Sequence, residues 1–134
     1  MSNVKIVHVP HLGGIDVAYR MQKPYDSGKP TLVLVNAFTT TSQLFNEQFE
    51  NAHLAEDMNL IAIELLGHGQ TRTVREHWTY WDSAEMNLQA LDMLGIEKAF
   101  MSGVSQGGWV SVQMALMRPE KVLDLEHRLT RCTS

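Results

Sequence analysis

A serine flanked by glycines offers the clearest chemistry in this chain. Ser105 lies in Gly103-Val104-Ser105-Gln106-Gly107, between an apolar run that ends at Met101 and a helical run from Trp109 to Met117. A G-x-S-x-G string between a strand and a helix is typical of a nucleophile elbow, a sharp turn that exposes the serine hydroxyl. The small residues two positions before and after the serine let the strand and the helix approach each other. The alternative is a glycine-rich turn in which the serine only caps the helix.

Size and composition indicate one domain. The chain has 134 residues, 44% of them hydrophobic, and a formal charge of −4. This length and hydrophobic content are enough for one hydrophobic core and not for two. The mild acidity gives no basic patch and argues against nucleic acid as a partner. No apolar run approaches the roughly 18 residues of a membrane helix. The N-terminal residues contain no signal-peptide core, and the single cysteine, Cys132, indicates a reducing intracellular compartment.

Strand-like and helical runs alternate along the sequence. Val4–Val9 and Ile15–Arg20 are predicted to form a hairpin at a sheet edge, because turn glycines separate these two runs. Thr31–Val35 and Leu60–Leu65 are continuous apolar runs, the pattern of strands that are buried on both faces. Lys98–Ser102 gives a third such strand. The alternation predicts a doubly wound, mostly parallel α/β sheet with helices on both faces.

Two helices are predicted between these strands. Leu44–Asp57 has helical spacing and weak amphipathicity. A second helix begins at Thr79, where Asp82 three residues later resembles a capping box, and Gly95 ends this helix. One face of the second helix is apolar and is expected to pack on the sheet. The residues of that face are Trp81, Ala84, Leu88 and Leu91.

The C-terminal residues do not continue the pattern. Val122–Leu125 resembles the start of another buried strand, whereas residues 126–134 are polar and lack any period. We therefore expect a domain over residues 1–125 and an irregular polar tail over residues 126–134. A sheet that stops here has an uncovered edge, which favours self-association.

Three loops lie at the carboxyl ends of successive predicted parallel strands. They are Asn36-Ala37-Phe38, Gly67-His68-Gly69 and the Gly103–Gly107 motif. In this order and spacing they resemble the N-terminal half of the α/β-hydrolase superfamily. Residues 31–41 and 61–71 are similar, more narrowly, to hydrolases of fungal polyketide clusters, those of the AK-, AF- and ACT-toxin pathways, which make an epoxy-decatrienoic acid. The resemblance covers about residues 3 to 122.

The resemblance implies roles for individual residues. Ser105 would attack the carbonyl of an acyl ester or thioester substrate and form a covalent acyl-enzyme. The backbone N–H groups of Gln106 and Phe38 would form the oxyanion hole. His68 would brace its loop as a structural histidine, and Gly103 and Gly107 would shape the elbow. No cofactor and no metal is implied, and His8 and His11 on the edge hairpin are expected to be surface residues.

The partners that a catalytic serine requires are missing from this pattern. The family order is serine, acid and then histidine, but in the strand and tail that follow the elbow helix, residues 122–134, only Asp124, Glu126 and His127 are candidates. We therefore consider two hypotheses. The chain is either an active serine hydrolase or a truncated, inactive remnant that binds a ligand or does nothing. Epoxide hydrolases and dehalogenases share the fold, but they use an aspartate at the elbow where this chain has Ser105.

The narrower resemblance also implies a compartment. The toxin-pathway relatives are peroxisomal, which implies the same location for this chain. The sequence itself ends in Cys132-Thr133-Ser134, which is not a peroxisomal tripeptide of the Ser-Lys-Leu type.

Overall fold

The computed structural model describes residues 4–21, 23–35, 56–103 and 106–127. Within them one sheet and two helices are formed, together with a short 3-10 turn at His11–Gly13. The elements in chain order are β1 (Val4–Val9), β2 (Ile15–Met21), β3 (Thr31–Val35), β4 (Asn59–Ile63), β5 (Arg72–Thr73), α1 (Tyr80–Met93), β6 (Ala99–Gly103), α2 (Gln106–Met117) and β7 (Val122–His127). The predicted helix Leu44–Asp57 lies outside the described residues except for its last two positions.

The strand order confirms the α/β prediction. Across the sheet the order is β1-β2-β4-β3-β6-β7, and β5 pairs with β2. The four strands β4, β3, β6 and β7 run parallel, whereas β1 and β2 form the predicted antiparallel hairpin at one edge. The carboxyl ends of the parallel strands therefore share one edge of the sheet, and the loops that follow β3, β4 and β6 start there.

Both faces of the sheet are buried. The larger core cluster joins one face to α1 and α2, which pack against each other, and it includes Ile61, Met101 and Val110. A smaller cluster on the opposite strand positions contains Leu34, Leu60 and Ala62, and these residues are also buried. Burial on both faces explains why the strand sequences are continuous apolar runs rather than alternating ones.

The last strand is longer than its side-chain pattern indicates. β7 continues to His127, two residues past the predicted domain limit at Leu125, because its backbone stays paired with β6 through Ser102 and Gly103. Ladder hydrogen bonds join backbone groups, so polar side chains do not end a strand. β7 forms an edge of the sheet in the described part of the chain, and self-association through it stays a prediction.

Helix α1 has the expected ends. The Asp82 carboxylate accepts a 2.8 Å hydrogen bond from the Thr79 N–H and completes a capping box. At the other end Gly95 adopts φ +76°, and the N–H of Ile96 donates to the Leu91 carbonyl in a Schellman arrangement. Both predicted helix boundaries are confirmed.

One residue of the predicted packing face of α1 is placed differently. Ala84, Leu88 and Leu91 are buried as expected, but Trp81 is half exposed. Trp81 occupies the first turn of the helix, where fewer neighbouring elements are available to cover a large ring. The helical period alone therefore assigned Trp81 to the wrong environment.

A buried lysine lies at the edge of the sheet opposite the candidate site. The Lys121 ammonium donates to the Asp92 carboxylate at 2.8 Å and to the Ile96 carbonyl at 2.6 Å, while Arg118 donates to the other Asp92 oxygen. Burial raises the pKa of Asp92, but the hydrogen bonds from Arg118 and Lys121 outweigh it and keep that pKa below its usual value. This cluster ties the end of α1 to the start of β7.

The Asp82 carboxylate should make stability depend on pH. Hydrogen bonding from the Thr79 backbone lowers the pKa of Asp82, and His11, whose Nε2 lies 2.9 Å from Oδ1, lowers it further. A depressed pKa stabilises the fold above the ordinary aspartate value of about 3.9, and this contribution disappears as the pH falls through the folded-state pKa. We expect Asp82→Ala to cost about 1 kcal/mol at pH 7, as helix caps do, and much less near pH 2.

Urea unfolding of both chains at the two pH values measures this difference. Asp16→Ala is the matched control, because Asp16 also contacts a histidine, His8, but both side chains are more than half exposed. Exposed pairs contribute little, so this variant should unfold like the parent chain. An equal loss of unfolding free energy in Asp82→Ala at both pH values would contradict a helix cap whose strength depends on the ionisation of Asp82.

Candidate functional site

The elbow motif lies where a strand changes abruptly into a helix. β6 ends at Gly103 and α2 begins at Gln106, so only Val104 and Ser105 connect the two elements. These two residues lie outside the described residues. The strand and the helix that the motif requires are nevertheless present on either side of Ser105.

Two glycines make this turn sterically feasible. A Cβ atom built on Gly103 would overlap the Gly107 carbonyl group and would lie 2.5 Å from the Gly108 nitrogen. The end of the strand thus packs directly against the first turn of the helix, backbone to backbone. Ser111 Oγ also donates to the Gly107 carbonyl at 2.8 Å, which occupies that oxygen within the helix.

The first turn of α2 provides donors for a developing negative charge. Gln106 is buried and is the first residue of the helix. The N–H groups of a first helical turn lack intrahelical acceptors, and the helix dipole favours an anion beside them. The oxyanion roles of Gln106 and Phe38 stay predictions, and Phe38 lies outside the described residues.

The loop that follows β4 is held by a buried carboxylate. Glu64 Oε1 accepts a 3.0 Å hydrogen bond from the Gln70 N–H, and the Glu64 carbonyl accepts one of 2.6 Å from Thr71 Oγ1. Thr71 Oγ1 in turn accepts from the Ala18 N–H at 2.9 Å, which ties the loop to β2. The Glu64 carboxylate therefore bonds to loop backbone and organises the loop.

His68 lies within this loop. Its Nδ1 is 2.9 Å from the Leu66 carbonyl oxygen, so this nitrogen carries the proton and donates it. Gly67, with φ +76°, packs under the Trp78 ring, where an added Cβ would lie 2.9 Å from Cζ2. The contacts fit a histidine that braces its loop, and that role stays a prediction.

The strand register places one more histidine at this edge. The backbone of His127 pairs with Gly103, at the carboxyl end of β7 beside the elbow. The sequence had assigned His127 to a tail, because neither the polar pattern nor the family order pointed to this position. Among the described residues, no group of histidine, cysteine, aspartate or glutamate side chains could hold a metal ion. Neither helix in the described part of the chain is long and apolar enough to cross a membrane.

The fold indicates a class of protein, and comparison of the sequence agrees. Residues 30–125 match the alpha/beta hydrolase fold family. The chain belongs to this family. The match begins just before β3 and extends into β7, so it contains all three loops at the candidate site.

Individual relatives cover most of this chain but only part of their own length. The chain is 36% identical over 100 residues to the dihydrolipoyllysine-residue acetyltransferase component of the acetoin cleaving system of Pseudomonas putida, covering 75% of this chain and 26% of the relative. It is 27% identical over 119 residues to 3-oxoadipate enol-lactonase 1 of Acinetobacter baylyi, covering 86% of this chain and 43% of that enzyme. A solved hydrolase from Pseudomonas aeruginosa is 26% identical with a TM-score of 0.77, covering 90% of this chain and 44% of that structure. The chain thus spans less than half the length of each of these relatives.

Proposed function

We propose that Ser105 is the nucleophile of a hydrolase that cleaves carboxylic esters or thioesters. The tight contact between Gly103 and Gly107 carries this proposal, because the end of β6 meets the first turn of α2 backbone to backbone, as a nucleophile elbow requires. A serine at the apex of such a turn has its hydroxyl free to reach a substrate. A serine that only capped the helix would not need a backbone contact that excludes every side chain.

The reaction has two steps. Ser105 Oγ loses its proton to a base and attacks the carbonyl carbon, and the alcohol or thiol leaves with a proton to give an acyl-enzyme. Water then attacks the acyl-enzyme and releases the acid. The N–H of Gln106 donates to the oxyanion in both steps, and removal of one such donor typically costs on the order of 10²–10³ in rate.

The relatives support ester chemistry in a general way. A lactone is a cyclic ester, and the Acinetobacter relative is an enol-lactonase. Other family members are named for different reactions, including the acetyltransferase component from Pseudomonas. Membership of the family therefore does not determine which reaction the chain catalyses. We propose hydrolysis because a serine occupies the elbow position.

A narrower proposal concerns the pathway. It is based on the resemblance of residues 31–41 and 61–71 to hydrolases of fungal polyketide-derived toxin biosynthesis, and it predicts a polyketide-like acyl substrate and a peroxisomal location. The three relatives described for this chain are bacterial and lend this narrower assignment no support. It is carried by sequence resemblance alone.

The alternative is an inactive remnant that retains the elbow without its base. The observation that favours it is the order of residues, since the family order is serine, acid and then histidine, and in residues 122–134 of this sequence Asp124, Glu126 and His127 are the candidates. An elbow without its base would leave Ser105 a weak nucleophile.

Fluorophosphonate labelling followed by peptide mapping separates the two functions. We expect one adduct on the peptide that contains Ser105, absent from Ser105→Ala and from heat-denatured protein. Ser27→Ala, which alters an exposed loop serine, is the matched control and should label normally. A chain that unfolds cooperatively but forms no adduct would refute the hydrolase and support the remnant.

A further inference from the structure

A groove lies at the edge of the sheet opposite the candidate site. Its volume is about 440 Å³, which is within the range of sites that hold small molecules. The loop before β3, the connection from α1 to β6 and the start of β7 all contribute to it, and we call it the amino-edge groove. Its walls include Tyr25, Lys29, Pro30, Glu97, Lys98 and Leu123.

The wall that carries Lys29 is fixed by a buried asparagine. Asn59 is 6% exposed, and its Oδ1 accepts a 2.9 Å hydrogen bond from the Asp26 N–H. Its Nδ2 donates to the carbonyls of Asp26 and Lys29 at 2.8 and 3.1 Å. The Asn59 N–H donates to the Pro30 carbonyl at 2.8 Å. These bonds hold the backbone of residues 26–30 in one turn.

The wall that carries Lys98 is fixed by a buried lysine. Lys121 is 2% exposed, and its ammonium donates to the Ile96 carbonyl at 2.6 Å and to the Glu97 carbonyl at 3.3 Å. The Ala99 N–H donates to the Lys121 carbonyl at 2.9 Å, so the backbone is held on both sides of Lys98. Both walls are therefore preorganised, which lowers the entropic cost of binding a ligand between them.

The charged side chains of the groove favour an anionic ligand. In the part of the chain whose side chains are described, the ammonium groups of Lys29 and Lys98 form no ion pair, whereas Lys121 is paired with Asp92. Lysine ammonium groups donate hydrogen bonds, accept none and commonly bind phosphate. The two lysines outnumber Glu97 in the groove, although the formal charge of the whole chain is −4.

Apolar side chains beside these lysines indicate a ligand with an organic body. Tyr25 is 38% exposed and Leu123 is 50% exposed, and both line the groove together with Pro30. Removing their apolar surface from water against a ring or a hydrocarbon would favour binding. A ligand that combines an anionic group with an apolar body would therefore use both kinds of wall residue.

We propose that the amino-edge groove binds a small organic phosphate ester. Lys29 and Lys98 come from different walls, so they can contact different oxygens of one phosphate group, which carries about −1.5 to −2 charge at neutral pH. A carboxylate has a single charge and gains less from two separate ammonium groups. The groove is at the opposite edge of the sheet from the elbow, so this binding does not depend on the proposed hydrolase function.

Calorimetric titration of the intact chain with phenyl phosphate tests the proposal. Inorganic phosphate and benzoate are the comparison ligands. We expect saturable binding of phenyl phosphate, and weaker binding of the other two, because inorganic phosphate lacks the ring and benzoate lacks the second charge. Raising the salt concentration should weaken the binding of phenyl phosphate, since the two lysines are near the surface.

Substitutions in the groove should change the affinity in opposite directions. Lys29→Gln and Lys98→Gln should each weaken the binding of phenyl phosphate about fivefold, because each removes an attractive charge. Glu97→Gln should strengthen it about threefold, because it removes a repulsive charge. Tyr25→Ala should weaken the binding of phenyl phosphate and leave that of inorganic phosphate unchanged. Urea unfolding checks that each variant is folded.

Two controls locate the effect. Lys5→Gln removes the same charge from an exposed position on β1, at the far end of the strand order from β7, and should bind phenyl phosphate like the parent chain. Ser105→Ala should also bind normally, so a failure of the hydrolase proposal would not be mistaken for a failure of this one.

Four results would overturn the assignment. The first is the absence of saturable binding of phenyl phosphate. The second is an equal loss in Lys5→Gln and Lys98→Gln, which would indicate a response to net charge alone. The third is a loss in Ser105→Ala but not in the two groove lysine variants, which would place the ligand at the candidate site. The fourth is binding of benzoate as tight as that of phenyl phosphate, which would exclude selection of a phosphate.

Discussion

Gly103→Ala is expected to destabilise the chain by more than about 3 kcal/mol and to remove fluorophosphonate labelling of Ser105. The added Cβ would overlap the Gly107 carbonyl, which belongs to the backbone and cannot rotate aside as a side chain can. Relief requires that β6 and α2 separate, and both elements pack into the main core through Met101 and Val110. The loss is a large fraction of the roughly 5–15 kcal/mol that stabilises a typical domain.

Chemical unfolding and labelling of the same samples measure this effect. Gly28→Ala is the matched control, since the added atom would meet only the Asp26 Oδ1, at 3.2 Å, in an exposed loop. It should keep both parental stability and labelling. Parental stability in Gly103→Ala would show that the strand and helix do not touch as described, and the argument for the elbow would fail.

Gly69→Ala is expected to cost about 3 kcal/mol, from two independent effects. Gly69 has φ +52°, and an L-residue in the left-handed region costs about 1–2 kcal/mol. The added Cβ would also overlap the Glu64 carboxylate, which is buried and accepts the Gln70 N–H. Displacing a charged acceptor from its donor adds about 1.5–3 kcal/mol.

Gly95→Ala separates these two effects. Gly95 has φ +76° but has open space where its Cβ would be, so this variant should show the backbone cost alone. Urea unfolding should therefore rank Gly69→Ala as clearly less stable than Gly95→Ala. Equal losses would mean that the Glu64 carboxylate moves aside freely and does not organise the loop.

The two glycine variants also bear on function in different ways. Gly103 is the last residue of β6, directly before the segment that contains Ser105, whereas Gly69 belongs to the loop that contains His68. If the loop after β4 only braces the site, Gly69→Ala should lower stability more than it lowers the labelling rate of the folded fraction. A labelling rate that falls in parallel with stability in both variants would place this loop in contact with the reacting groups.

The sequence alone was enough to predict the arrangement of strands and helices. Continuous apolar runs such as Thr31–Val35 identified strands buried on both faces, and that burial is what the sheet provides. The helix ends at Thr79 and Gly95 were predictable because caps are local, involving groups within a few residues of one another. The strand before Ser105 and the helix after it were also predicted.

Other features depended on contacts between distant residues, and only the tertiary structure decided them. Trp81 has the period of a packing residue but is half exposed, because the elements packed around the first turn of α1 leave its ring partly uncovered. β7 reaches His127 because its partner is the β6 backbone, which no side-chain pattern along β7 reveals. The exposure of Val74, Trp78 and Tyr80 likewise depends on the positions of β5, Gly67 and α1, since exposure depends on what the rest of the fold leaves uncovered.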